Sequence, residues 1–575
     1  MPEALTLGAL HANGQTAFRV WAPESRSVDV VGAAFRQPMT SEEHGYWTAV
    51  LDVPPGTLYR YRLDGADDRV FPDPASRFQP EGVHGPSQVV DPAAFAWSAV
   101  EWQPPSPRGL VFYELHVGTF TPEGTFNGVR DRLPYLRDLG VTAIELMPVA
   151  DFPGRWNWGY DGVCLFAPSR AYGPPDDLRA LVDAAHAHGL AIFLDVVYNH
   201  LGPDGAYANA FSPYYFTDRH QSPWGRGVNL DGPHSAAVRR FFVENAMHWA
   251  REYRIDGLRL DATHALVDEG PRHFLEELTT TVREAAARPV LFVAEDERDL
   301  REQLRPASQG GWGLNGVWAD AFHHDVRVHV AGDRDGYFAK YGGATASIAD
   351  RINDGLPGFV FCIQNHDQVG NRADGGRLHH AIDAAAYRAA STLLLLAPET
   401  PLIFMGQEWS AGTPFQFFTD HHPELGRRVT EGRRQEFKQF AAFADPAARD
   451  RLPDPQAPAT FAASRLRWDE PAAPPHEAML RLYRALLRLR RELPLDTLVA
   501  RAYDEETIVL AGGGRLVIAR LGGAGDCRAG RIDRTLFSTE DPSCADDPQP
   551  IVVSDGLVRF ARAGALVAAG APFAP

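Results

Sequence analysis

The 575-residue chain predicts an α/β fold: a (β/α)8 TIM barrel with an N-terminal β-sandwich and a small C-terminal β domain. Three observations predict it. Eight near-continuous apolar runs alternate with helical stretches between Val111 and Trp409, as in a parallel sheet buried on both faces. On either side of this block the text changes to short alternating runs broken by turn residues. Polar residues also collect at one end of nearly every apolar run, the end where such a barrel keeps its chemistry.

In chain order, residues 1–98 carry the runs Ala17–Ala22, Val28–Val31 and Tyr59–Leu63, separated by Asn13-Gly14, Pro54-Pro55-Gly56 and Asp64-Gly65. This predicts an immunoglobulin-like antiparallel sandwich. Glu101–Gly109 reads as a proline-rich linker. The barrel unit, 99–494, has strand runs at Val111–Phe120, Val141–Val149, Ala191–Asn199, Ile255–Asp261, Pro289–Asp296, Gly316–Phe322, Phe359–Asp367 and Pro401–Trp409. Helical stretches are expected at Val129–Leu139, Asp176–His188, Ala236–Tyr253, Pro271–Ala287, Ala384–Leu396 and Glu477–Leu493, with helices five and six weakly marked. Residues 201–233 form an excursion after strand three and 410–474 a polar insertion after strand eight. Residues 495–575 return to short strands, Thr507–Ala511 and Arg515–Ala519 among them.

Composition narrows the class. Apolar residues make up 45% and charged residues 23%, which excludes a collagen-like, coiled-coil or disordered chain. The net charge of −18 argues against a phosphate-backbone binder; no nucleic-acid partner is expected. No apolar run approaches the roughly 20 residues that cross a bilayer, and Met1–Gln15 lacks a leader's pattern. The expectation is a soluble cytoplasmic protein with no membrane contact. Cys164, Cys362, Cys527 and Cys544 contain no C-x-x-C pair; they read as buried small hydrophobes, without a disulfide.

The strand ends carry the chemistry. Strand three ends Asp195-Val-Val-Tyr-Asn-His200, strand four Arg259-Leu-Asp261, strand five Ala294-Glu295-Asp296, strand six Asp320-Ala-Phe-His323-His324 and strand seven Asn365-His366-Asp367. Carboxylates at the ends of buried strands are costly unless paired, so a purely structural role does not account for the set. Two carboxyl groups, one ionised and one protonated, are the equipment for glycosidic cleavage. Arg259 and Asp261 are two apart on a strand and share a face, so the guanidinium keeps Asp261 ionised. A Glu in an acidic cluster can hold its proton, and Asp367 would stabilise positive charge on a sugar ring. Metal ligation is the rival reading, but adjacent His323-His324 lack the spacing of a helical ligand pair. No metal and no cofactor is expected. His186 and His188 diverge on their helix and read as surface residues. Phe415, Phe417, Phe418, Trp156, Trp158 and Trp224 are candidate walls for sugar stacking, with core packing as the alternative. Arg427-Arg428 and Arg433-Arg434 read as a solvated face or ion-pair partners.

Four segments, Asp195–His200, Gly257–His264, Ala294–Glu297 and Gln364–Asp367, resemble in order the signature segments of the α-amylase superfamily of glycoside hydrolases. The resemblance implies a retaining double displacement, with Asp261 as nucleophile, Glu295 as general acid/base and Asp367 as transition-state stabiliser. It places Asp195, His200, Arg259 and His366 around the reacting sugar, with Tyr160 of Trp158-Gly-Tyr160 stacked on it, and an N-terminal module of glucan-binding type. Within the superfamily, Gln364–Arg372, Asp320–His324, Thr400–Trp409 and Thr413–His421 resemble the branch that acts on malto-oligosyltrehalose. Pro223–Gly225 and Gly432–Phe437 do so as well. That resemblance implies cleavage of the α-1,4 bond beside a terminal trehalose, with trehalose and a maltooligosaccharide as products and a malto-oligosyltrehalose synthase upstream. His264, Asp320, His323, His324, Gln368, Asn371 and Arg372 join the expected substrate contacts. The departures, Asp296-Glu297-Arg298 and Ala321, bear on aglycone contacts rather than on catalysis. A glucan branching or debranching enzyme of the same superfamily is the alternative, and a non-catalytic glucan-binding protein a third reading.

Overall fold

A computed structural model describes residues 4–286, 288–298, 300–355, 358–440 and 445–572. Eight parallel strands close into a barrel in chain order: Phe112–Leu115, Ala143–Leu146, Ala191–Val196, Gly257–Leu260, Leu291–Glu295, Gly316–Trp318, Phe359–Phe361 and Thr400–Phe404. Each lies inside an expected run or within one residue of it, and each is shorter. The overrun has a physical cause: the residues past the strand ends are still buried, but their backbones turn into loops and short helices. Val117–Phe120 is one such helix. His366–Gly370, whose first turn is capped by the Asn365 side chain, is another. Phe112, Phe193, Val293, Trp318, Val360 and Leu402 fill the barrel interior, so it is a packed core rather than a pore. Each such side chain contributes roughly 1.5–3 kcal/mol of burial.

Strand six corrects an expectation. It stops at Trp318, and Asp320 opens the helix Asp320–Ala331. Asp320, His323 and His324 are thus helical residues rather than strand-end residues. A second helix, Thr345–Asp354, precedes strand seven. Among the described residues, strand five is followed by a loop containing only the 3-10 turn Ala307–Gln309, which accounts for the weak helical text there. The helix expected over Pro271–Ala287 spans Phe274–Ala285; Ala287 lies outside the described residues.

The N-terminal segment pairs Gly8–Ala12, Gln15–Trp21, Tyr46–Leu51 and Thr40–Ser41 in one sheet, and Phe35–Pro38, Val28–Gly32, Leu58–Leu63 and Val70–Phe71 in another. The predicted turns explain two hairpin joints. Asn13-Gly14, both at left-handed φ (53° and 79°), form the two-residue turn between Ala12 and Gln15 that strand twist requires. Asp64-Gly65, at φ 53° and 68°, open the longer loop that joins Leu58–Leu63 to Val70–Phe71. Carboxyl-terminal strands form a five-stranded sheet and a three-stranded sheet. All four cysteines are buried and free. No helix among the described residues is long and apolar enough to cross a membrane.

His186 is a correction of a different kind. It is buried, its Nε2 lies 2.8 Å from Asp256, and its ring stacks on Trp102 at 4.8 Å. The helix Pro175–Ala187 turns this face, and not a solvent face, onto the loop before strand four.

Candidate active site

The site is built around one guanidinium. Arg259 sits in strand four with its side chain fully buried over the Trp318 ring, 4.3 Å away. Its Nη1 donates to both carboxylate oxygens of Asp195, at 3.0 and 2.8 Å, and to Asp261 Oδ1 at 2.7 Å. Its Nη2 lies 3.3 Å from Glu295 Oε2. One planar donor thus gathers the ends of strands three, four and five. A buried carboxylate cluster without such a cation would be driven to neutrality.

Asp261 is fixed from the other side as well, where Asn199 Nδ2 donates to Oδ2 at 2.8 Å. The backbone then makes a strained turn: Ala262 adopts φ 42°, ψ 54°, a left-handed conformation that costs a side-chain-bearing residue about 1–2 kcal/mol. The turn aims the Ala262 N–H at Glu295 Oε2, 2.7 Å away. Burial pushes the Glu295 carboxyl up to about 8, against the pull of Arg259. Glu295 is therefore a neutral acid at pH 7. Burial likewise raises Asp195 to about 7, again opposed by Arg259.

Asp367, the most open of the carboxylates, lies on the short helix after strand seven. Asn371 Nδ2 donates to it at 3.0 Å, and His366 Nε2 lies 3.4 Å away. Burial alone would depress His366, but Asp367 and Glu114 outweigh it and hold the imidazole at about 10. Glu114 accepts the His366 backbone N–H at 2.9 Å and faces Nδ1. The Tyr160 hydroxyl bridges His366 Nε2 and Asp195 Oδ2, at 2.7 and 2.6 Å. Replacing Glu114 by Gln should lower kcat/KM by about 10- to 100-fold, the scale of one hydrogen bond to a charged group, with the circular dichroism spectrum unchanged. Wild-type kinetics in E114Q would remove Glu114 from the site.

A cleft of about 560 Å3 opens beside these groups, lined by Glu295, Asp320, His324, Asp367, Gln368 and Asn371 among others. Burial, with Asp367 adding to it, raises Asp320 to about 6. Several expected contacts sit elsewhere. His323 is buried against His324, Nδ1 to Nδ1 2.9 Å, and faces away because it lies on the inner side of its helix. Trp158 is 4% exposed, stacks on Phe415 at 5.2 Å and stands edge-on to His366. It backs the site rather than lining it, and Gly370 leaves room for its indole, since a Cβ there would lie 2.1 Å from Cζ2. Arg372 pairs with Asp333 at 2.9 Å beside a neighbouring cavity. His264 is half-buried next to strand five. His200, by contrast, borders the site: it contacts Asn199, which donates to Asp261, bonds the Tyr160 carbonyl at 2.9 Å and stacks on Trp224. Trp156, Phe415 and Phe418 are core residues, whereas Trp224 is exposed.

Sequence reasoning passed over Glu114 and Trp318, and it did not foresee a site role for Arg433, which is an ion-pair partner, 3.3 Å from Glu436, but largely buried rather than solvated. Glu114 carried a usable signal, a carboxylate within an apolar run, but one short of the last residue of its strand. Arg433 carried none. Its guanidinium spans a tertiary gap, donating to the Gly370 carbonyl at 2.7 Å and to Asn371 at 3.2 Å, over the Phe417 ring. The neighbouring Arg427 and Arg428 form exposed ion pairs with Glu431 and Glu424, as expected for a solvated face.

Residues 70–222 match the family model for the α-amylase catalytic domain, and 6–76 that for carbohydrate-binding module 48, the isoamylase N-terminal domain. The malto-oligosyltrehalose trehalohydrolase of Deinococcus radiodurans is 45% identical over 85% of this chain and 83% of that protein. The chain belongs to the malto-oligosyltrehalose trehalohydrolase family. Another member, from Rhizobium sp. strain M-11, is 43% identical over 84% of this chain and 85% of its own length. A crystal structure from Salmonella typhimurium, provisionally described as an α-amylase, superposes with a TM-score of 0.87 at 35% identity, covering 99% of this chain and 100% of that one. The family's barrel and N-terminal sandwich are thus both present.

Proposed function

We infer that this chain hydrolyses the α-1,4-glucosidic bond next to the terminal trehalose of malto-oligosyltrehalose, with retention of configuration. The observation that carries the chemistry is the Arg259 guanidinium joined at once to Asp261 and Glu295 at the ends of adjacent strands. Asp261, gripped by Arg259 and Asn199, attacks the anomeric carbon while Glu295 passes its proton to the departing glycosidic oxygen. Trehalose leaves, and a glycosyl ester remains on Asp261. Glu295, now ionised, takes a proton from water, which attacks the same carbon and releases the maltooligosaccharide. Asp367 opposes the positive charge that develops on the ring, and Tyr160 and His366 frame the sugar. The family membership points to the trehalose-capped substrate.

Incubation with malto-oligosyltrehalose should release trehalose rapidly, while maltooligosaccharides and amylose are poor substrates. Branched products or internal cleavage of amylose, without trehalose, would overturn this reading. A raised Glu295 also sets a pH limit. The acid is competent only while protonated, so kcat/KM should fall on the alkaline side with an apparent pKa near 8, because that profile reports the free enzyme. An alkaline limb below 6 would remove Glu295 from the acid's role.

Residues 1–98, 99–494 and 495–575 form the sandwich, catalytic and terminal β units of this enzyme. It works in the cytoplasm, which suits four unpaired cysteines, downstream of a malto-oligosyltrehalose synthase.

A further inference from the structure

The segment between strand three and the helix Ser235–Glu252 leaves the active site, visits the N-terminal sandwich and comes back. It departs after His200, whose Nδ1 contacts Asn199 Oδ1 at 2.5 Å; Asn199 in turn donates to Asp261. It returns through the hairpin Phe216–Ser222 and Gly225–Val228, whose turn carries Trp224. The Trp224 and His200 rings are parallel within 4°, with centroids 4.8 Å apart, and Trp224 is 49% exposed. Between these two ends the segment is anchored in the sandwich. Phe211 is part of the sandwich core and stands edge-on to Tyr61 and Phe71, at 6.0 and 6.1 Å. Tyr207 packs on Phe71 and its hydroxyl bonds His84 at 2.8 Å. Further along, Tyr214 donates to Glu24 at 2.8 Å, and Tyr215 stands edge-on to Trp21.

A loop that supplies a core residue to another unit cannot shift without opening that core, and packed cores are not continuously deformable. We propose that the N-terminal sandwich is a positioning element of the active site: by holding Phe211 it fixes the His200–Trp224 wall beside Asp261 and so controls substrate binding. Phe211 and Tyr207 are positioning residues, acting through the hairpin and touching no substrate. The proposal rests on the glycosidase reading of the site.

A double-mutant cycle tests it. Kinetics are measured on the α-glucan that the wild-type enzyme turns over. F211A should raise KM about tenfold, or ~1.4 kcal/mol, with kcat nearly unchanged; W224A should raise KM in the same direction. The F211A/W224A double variant should be no worse than W224A alone, because Phe211 acts on the wall through Trp224, while His200 is held independently by Asn199 and the Tyr160 carbonyl. Y207F, which deletes only the hydroxyl at the seam, should show a smaller rise and stands in if F211A does not fold. Acrylamide quenching of the fluorescence component that W224F removes should increase in F211A and in Y207F. This readout is independent of substrate, so a failure of the trehalose-release assay and a failure of this proposal are distinguishable. A lowered melting temperature with unchanged KM and unchanged quenching, or additive effects in the cycle, would overturn the proposal.

Discussion

Replacing Asp261 by Asn should lower turnover by on the order of 10⁴-fold or more, the scale reached when a covalent nucleophile is deleted, while the barrel stays folded. Asn keeps the volume and can still accept from Arg259, so the loss isolates the charge. Glu295→Gln should cost about 10²–10⁴-fold, the range for a general acid, and the two losses should differ in kind. In an Asp261→Gly variant, azide can enter the vacated space and attack the anomeric carbon from the nucleophile's side. The product is then a β-glycosyl azide, of inverted configuration. In Glu295→Ala the glycosyl ester on Asp261 still forms, most readily with an aryl glycoside whose leaving group needs no proton. Azide then displaces the ester and gives the α-azide, of retained configuration. The anomer formed in each variant assigns the two roles separately; swapped anomers would exchange them, and near-wild-type turnover in either variant would refute the assignment.

Much of this site was legible in the sequence because its residues belong to strands. A strand end is a one-dimensional signal: an apolar run that stops on a carboxylate. Asp195, Asp261 and Glu295 announce themselves in that way, with Arg259 two residues before Asp261, and the structure brings their side chains within one polar network. What lay outside that signal was harder to read. His323 and Trp158 have the right residue types at the right places in the text, yet both turn into the core. Neither the helical phase of the one nor the loop path of the other is written locally. His186 failed for the reverse reason: a polar residue on an amphipathic helix was assigned to solvent, but a buried Asp256 awaited it. Arg433 touches residues 62 and 63 positions away, and no local pattern encodes that contact. The fold was legible at the level of strand order, and less so where a strand hands over to a helix after one or two residues, as at Trp318 and Asp320.

Arg259→Met should be the most damaging single substitution for stability, and its effect should depend on pH. The guanidinium is fully buried, and removing it leaves Asp195, 2% exposed, facing Asp261, 8% exposed, with no cation between them. Breaking a buried pair from one side costs about 3–5 kcal/mol. The sign of the pH dependence follows from Asp195. Its folded-state pKa, about 7, already lies above the unfolded value because burial outweighs Arg259. A group raised in this way contributes stability that is fully present below its unfolded pKa and is lost as pH rises through the folded one. Without Arg259 the carboxyl loses the largest of its counterweights, keeping those of His366 and Tyr160, and rises further, so the loss deepens. The barrel's melting temperature in R259M should therefore fall well below wild type at pH 7–8, and the gap should narrow towards pH 4, where the Asp195 carboxyl is protonated. Arg259→Lys should recover part of the charge but little of the activity. An ammonium is a point donor and cannot hold Asp195, Asp261 and Glu295 together as the planar fork does. A stability deficit that is flat from pH 4 to pH 8 would mean that Arg259 acts through its packing on Trp318 alone, and the guanidinium would no longer account for how three carboxyl groups share one buried site.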